Sequence, residues 1–110
     1  MIASNSRKFV LSAEGAVELR EAGFESSETV ANAQVFTLKQ DEQEFVTPNS
    51  DVDRLILIAS GQIEVNVRST GNDRPIECTE HSLRIGGTSL LSIAAKDTTA
   101  TFSILELKNG

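Results

Sequence analysis

Few groups in this chain could support chemistry. His81 is the one histidine and Cys78 the one cysteine among 110 residues, so a Ser-His-Asp or Cys-His arrangement could form only around that imidazole. His81 follows Glu80 between two strand-like segments and reads first as a turn or surface histidine. Cys78 alternates with Glu77 and Thr79 and reads first as a small hydrophobe in the interior. Gly86-Gly87-Thr88-Ser89 could turn backbone N–H groups toward an anion. No phosphate-loop lysine and no helical pattern follows, so the stretch reads as a sharp corner. Ser89 also lacks the flanking glycines of a nucleophile elbow. Asp41, Glu42 and Glu44 read as a solvated connection, and Asp51-Val52-Asp53 lacks the rest of a calcium loop.

Composition narrows the function classes. With 39% hydrophobic and 24% charged residues, residues 1–110 suit a single soluble globular domain with a core of its own. The formal net charge is −6 and the ten Lys and Arg residues are scattered, so no basic stripe exists to neutralise a phosphate backbone and no nucleic-acid partner is expected. No apolar run approaches the ~18 residues of a membrane span, and the first eight residues hold no apolar signal core. No membrane association and a cytoplasmic location are therefore expected, in keeping with a lone cysteine and no Asn-x-Ser/Thr acceptor. Five Phe with no Trp or Tyr leave little that could both stack on a sugar or base and hydrogen-bond it.

The elements that must position these groups are strands. Leu55 to Ile58 is a short apolar run, Ala59-Ser60-Gly61 is turn chemistry, and Ile63, Val65 and Val67 then alternate with polar residues. That predicts a central β-hairpin, whose first strand is covered on both faces and whose second has one wet face. Further strands are read at Val35–Leu38, Phe45–Val46, Ile76–Cys78, Leu83–Ile85, Ser89–Ala94 and Thr101–Leu107, with turns at 47–51, 69–75, 86–87 and 96–97. About eight strands at such spacing predict an all-β sandwich or jelly-roll barrel. Its expected core includes Leu55, Leu57, Ile63, Val65, Ile85, Leu90, Phe102 and Ile104. Residues 1–32 form an N-terminal arm and loop before a barrel core at 33–107. Within that arm residues 1–8 read as loose, Lys8–Leu11 as an edge strand or arm, and 25–32 as a loop. Residues 13–22 fit a helix capped by Ser12 or a strand.

The stretch Arg54-Leu-Ile-Leu-Ile-Ala-Ser-Gly61-Gln-Ile-Glu-Val resembles the first motif of the cupins, in which a turn glycine follows an apolar strand. Leu83-Arg-Ile-Gly-Gly87-Thr-Ser-Leu-Leu-Ser-Ile93 resembles the opening of the second. The resemblance covers roughly residues 33–107 and is to a small single-domain cupin, which implies a cupin-like jelly-roll barrel, or double-stranded β-helix. It is that of a degenerate member. With Gly61 as the turn glycine, Arg54 stands at the metal-binding glutamate, the histidine positions fall within Thr47–Ser50, and Thr88, Ile93 and Thr98 replace the aspartate, proline and third histidine of the second motif. A one-residue slip that puts Asp53 at the glutamate restores a single ligand. No cofactor and no bound metal are expected, since one imidazole and one carboxylate do not hold a transition metal.

The same resemblance points Arg54 into the barrel, where a buried charge needs a partner. Two partners stay open: an internal carboxylate, or the anionic group of a ligand held by the guanidinium fork. Arg54 and Thr98 are thus the candidate ligand-binding residues, and no catalytic residue is assigned. The expected function is a metal-free, cupin-like small-ligand-binding or structural protein. The alternative is a metal-independent enzyme like the cupin-like nucleoside phosphorylases or epimerases, while a metal-dependent dioxygenase or isomerase conflicts with the missing ligands. A homodimer is expected through addition of Lys8–Leu11 to another chain's sheet edge.

Overall fold

A computed structural model describes residues 5–13, 28–69 and 76–109. They form nine strands and no helix: β1 (Asn5–Ser12), β2 (Glu28–Leu38), β3 (Gln43–Val46), β4 (Asp53–Ser60), β5 (Gln62–Ser69), β6 (Glu77–Cys78), β7 (Ser82–Gly86), β8 (Leu90–Ala95) and β9 (Ala100–Asn109). Two antiparallel sheets result, one in the order β1-β5-β8-β3 and the other β2-β9-β4-β7-β6. From β2 to β5 the chain alternates between the sheets. The pairings β2 with β9, β3 with β8 and β4 with β7 are nested, so outer strands of the sequence pair around inner ones.

Period-2 patterning decides which faces meet. Arg54, Ile56 and Ile58 share one face of β4, and their register partners Glu106, Ile104 and Phe102 on β9 and Ile85 and Leu83 on β7 share it too. Against this face lie Ile63, Val65 and Val67 of β5 and Leu91 and Ile93 of β8, all buried in one cluster. Phe102 stacks on Phe36 with ring centroids 5.4 Å apart, an offset arrangement that favours aromatic pairs. Leu55 and Leu57 point the other way and form a second cluster with Leu107 and the partly buried Leu105. The unbroken apolar run on β4 thus serves two clusters on opposite faces.

The all-β expectation holds, and several finer expectations need correction. The described strands make two open sheets, not a closed barrel: β2 and β6 edge one sheet, β1 and β3 the other. Residues Asn5 onward, read as loose, belong to β1, and residues 28–32, read as loop, begin β2. Their polar composition masked strands that a neighbouring strand's register fixes. Lys8–Leu11, read as an edge strand or an arm, is an edge strand paired on one side with Asn66–Ile63 of β5. Leu91, not Leu90, enters the core, a one-residue slip that flips a side chain to the other face. Cys78 is exposed, on a two-residue strand at the edge of its sheet. The helix-or-strand reading of 13–22 and the turn at 69–75 fall almost wholly outside the described residues.

Turns follow local chemistry. Gly61 takes φ +78° between β4 and β5, and a Cβ there would sit 2.6 Å from the Thr99 carbonyl oxygen and 2.9 Å from the Ala100 Cα. Asp41 and Asp97 take left-handed conformations in the β2–β3 and β8–β9 turns, which short polar side chains tolerate. Gly61→Ala is expected to destabilise the fold by about 1–3 kcal/mol through left-handed strain and the clash with the β8–β9 turn. Urea unfolding checks this as a lower midpoint at unchanged slope.

Candidate functional site

A cleft of about 590 Å3 opens between the sheets on the side of the edge strands β2 and β3. Asn32, Gln34 and Phe36 of β2 form one wall, Glu44, Phe45 and Val46 of β3 the other, and the 47–50 loop, Arg54, Ile104 and Glu106 complete it. Each residue is placed by strand parity. Asn32, Gln34 and Phe36 face inward because their partners Glu106, Ile104 and Phe102 do.

Arg54 anchors the cleft. It is among the largest fully buried side chains, 1% exposed. Its Nη1 donates to the Ser89 carbonyl at 2.9 Å and its Nη2 to the Thr47 carbonyl, while Nε is buried with no hydrogen-bond partner among the described residues. Burial lowers the guanidinium pKa, and the charge of Glu106 opposes that shift. Two backbone carbonyls, from the loops after β3 and after β7, hold its fork, and Glu106 supplies charge without an ion-pair contact.

Close packing locks the same corner. Asn49 N donates to the Gly87 carbonyl at 2.7 Å. A Cβ on Gly87 would lie 1.9 Å from the Asn49 carbonyl oxygen and 2.0 Å from that of Val52, so only glycine lets the two loops approach this closely. The Gly86-Gly87 stretch is a corner, as its composition implied. Opposite Arg54, Glu106 is oriented by a 3.0 Å hydrogen bond from the Asn32 side-chain amide.

Of the two ligand-binding candidates, the structure brings only Arg54 to the cleft. Thr98 is exposed in the β8–β9 turn beside Lys96, at the far end of β9 from Glu106. Thr47, Asn49 and Ser50 also line the cleft. Asp53 projects to the opposite face of β4 and pairs with Arg84 at 3.3 Å, so a one-residue slip would not bring its carboxylate inward. His81 acts as a joint: Nδ1 lies 2.6 Å from the Ser12 carbonyl, and its own carbonyl accepts from Ile58 N at 2.9 Å. Since a carbonyl can only accept, Nδ1 carries the proton. Among the described residues no three His, Cys, Asp or Glu side chains gather as a metal's ligands would.

Sequence reasoning missed Glu106, Asn32 and Gln34. Glu106 had a legible signal, because it continues the inward period of Phe102 and Ile104 along β9. Asn32 and Gln34 had none, since their facing depends on pairing with β9. No helix among the described residues is long and apolar enough to cross a membrane.

Two outcomes are expected here. Arg54→Met leaves the Thr47 and Ser89 carbonyls without their donor and should lower unfolding free energy by about 2 kcal/mol, read from denaturant midpoints. Partial desolvation raises the Cys78 thiol pKa, which depletes thiolate at neutral pH. Iodoacetamide should therefore modify Cys78 more slowly than free cysteine at pH 7, with the rate climbing as pH rises past the usual thiol range.

Comparison of the chain with protein-family models, curated proteins and solved structures finds no match.

Proposed function

We propose that this is a metal-free, cupin-like domain that binds a small polar ligand in the cleft between its sheets. Supporting the jelly-roll part of this reading are the nested pairings β2–β9, β3–β8 and β4–β7 and the alternation of β2 to β5 between the sheets. The left-handed Gly61 and the tightly packed Gly87, the glycines on which the resemblance to the two cupin motifs rests, each sit where a Cβ would clash.

The observation that carries the binding reading is the open, polar end of an otherwise aliphatic interior. Ile56, Ile58, Ile63, Val65, Leu83 and Ile93 fill the space between the sheets, while Asn32, Gln34, Glu44, Glu106 and Arg54 converge at the cleft. A concave site with a few convergent polar groups is the form small-ligand sites take. The accepting groups that face the cleft are two carboxylates and two amides, whereas the guanidinium fork is already engaged. Such a lining favours a ligand rich in donors, hydroxyl or ammonium, over the anionic ligand the sequence suggested. Phe36 and Phe45 add apolar walls for its carbon frame.

The metal-independent enzyme is the second reading, and the Asn32-oriented Glu106 is what favours it. A carboxylate positioned by a neighbouring amide is the arrangement of a general base. The cleft offers Glu44 as a second carboxylate but no histidine, cysteine or lysine among its lining residues, which leaves binding as the better-supported role.

The test is an NMR titration of the 15N-labelled protein with D-ribose, ethanolamine and inorganic phosphate. Ribose or ethanolamine should shift the Asn32 and Gln34 side-chain amides and the backbone amides of 44–50, and Glu106→Gln should weaken that binding at least tenfold, about 1.4 kcal/mol. Phosphate acting alone would point back to an anion at Arg54, and silence at the cleft with all three would count against ligand binding there.

A further inference from the structure

The four sheet edges differ in how they are protected. Strand β6 has two residues and β3 four, with Glu44 among them, and β1 carries Arg7 and Lys8. Short edges and charged side chains are the usual means by which a protein blocks pairing with another chain. The edge strand β2 has neither. It runs eleven residues, and from Thr29 to Leu38 it contains no charge and no proline. Among the described strands it pairs only with β9. Thr29 to Val35 are exposed without interruption, and Val35 at 72% is the most exposed large hydrophobic residue described.

We propose that β2 pairs antiparallel with β2 of a second copy of this chain, joining two five-stranded sheets into one across a twofold axis. A second copy suits this edge because an uncharged strand places no like charges opposite one another when it meets itself, and a twofold pairing closes both edges at once. The register follows from two constraints. Faces stay aligned only if opposed residues have the same parity, and the irregularity between Val30 and Asn32 interrupts any register that runs through it. Centring the axis on Val35 pairs the regular stretch Asn32–Leu38 throughout and sets the exposed Val35 against its own copy. On the inner face, Gln34 of each protomer then stands beside Phe36 of the other. Both residues line the cleft, so the two clefts face each other across the axis. This dimer uses a different edge from the Lys8–Leu11 strand expected from the sequence and does not depend on what the cleft binds.

Sedimentation equilibrium at about 50 micromolar, a concentration well above ordinary dimer dissociation constants, should give twice the chain mass. Val35→Lys opposes two ammonium groups at the axis and should raise the dissociation constant at least a hundredfold. Because Val35 is exposed, the variant should keep the wild-type circular dichroism. In a Cys78→Ser background, Val35→Cys should form an interchain disulfide under mild oxidation. Opposed residues in an antiparallel pair have Cα atoms about 4.5–5.5 Å apart, within the range a disulfide spans. Val10→Cys on β1 should not cross-link. A monomer at that concentration, or a dimer that survives Val35→Lys and cross-links through Val10→Cys, would overturn the proposal.

Discussion

The structure depends on a buried positive charge held almost entirely by backbone oxygen. Transferring a guanidinium out of water costs several kcal/mol, and Arg54 recovers this through the carbonyls of Thr47 and Ser89 and the nearby charge of Glu106. Those carbonyls belong to two connections that would otherwise be independent, one leaving β3 and the other leaving β7. A single side chain on β4 therefore fixes the position of both. Gly87 completes the joint, since its missing Cβ lets the Asn49 and Val52 carbonyls close over the corner.

The geometry of the cleft is a consequence of that clamp. The 47–50 loop forms one end of the cavity, and it stays there because Arg54 and the Asn49–Gly87 hydrogen bond hold it. Elsewhere the sheets are sealed by aliphatic side chains, with Phe36 and Phe102 stacked where the polar end gives way to the core. His81 makes a smaller joint of the same kind near the Gly61 end, tying Ser12 of β1 to the β6–β7 turn and to β4. Polar groups that sequence chemistry might assign to catalysis are used here to hold loops together.

The two-sheet architecture was legible because alternation at Ile63, Val65 and Val67 and at Phe102 and Ile104 admits only a strand with one buried face. The importance of Arg54 was legible too, from a charge heading an apolar run. Its partners were not, because a backbone carbonyl carries no residue-type signature and either loop could have offered one. The strand from Glu28 was hidden for a related reason. Thr29, Asn32 and Gln34 have little strand signal of their own, and their register is imposed by β9. Cys78 shows the opposite failure, where alternation suggested an interior side chain on what is an exposed two-residue edge strand.

Amide hydrogen exchange at Asn49, compared between the wild type and Arg54→Met, tests the clamp most directly. The Asn49 N–H donates to the Gly87 carbonyl, so it reports whether the loop stays seated, while the amides of Val65 and Val67 in the centre of the four-stranded sheet report on the fold as a whole. The account predicts that Arg54→Met removes most of the protection at Asn49 and leaves Val65 and Val67 protected. Equal protection at Asn49 in both proteins would show that the loop holds its place without the guanidinium, and would contradict the role assigned to Arg54.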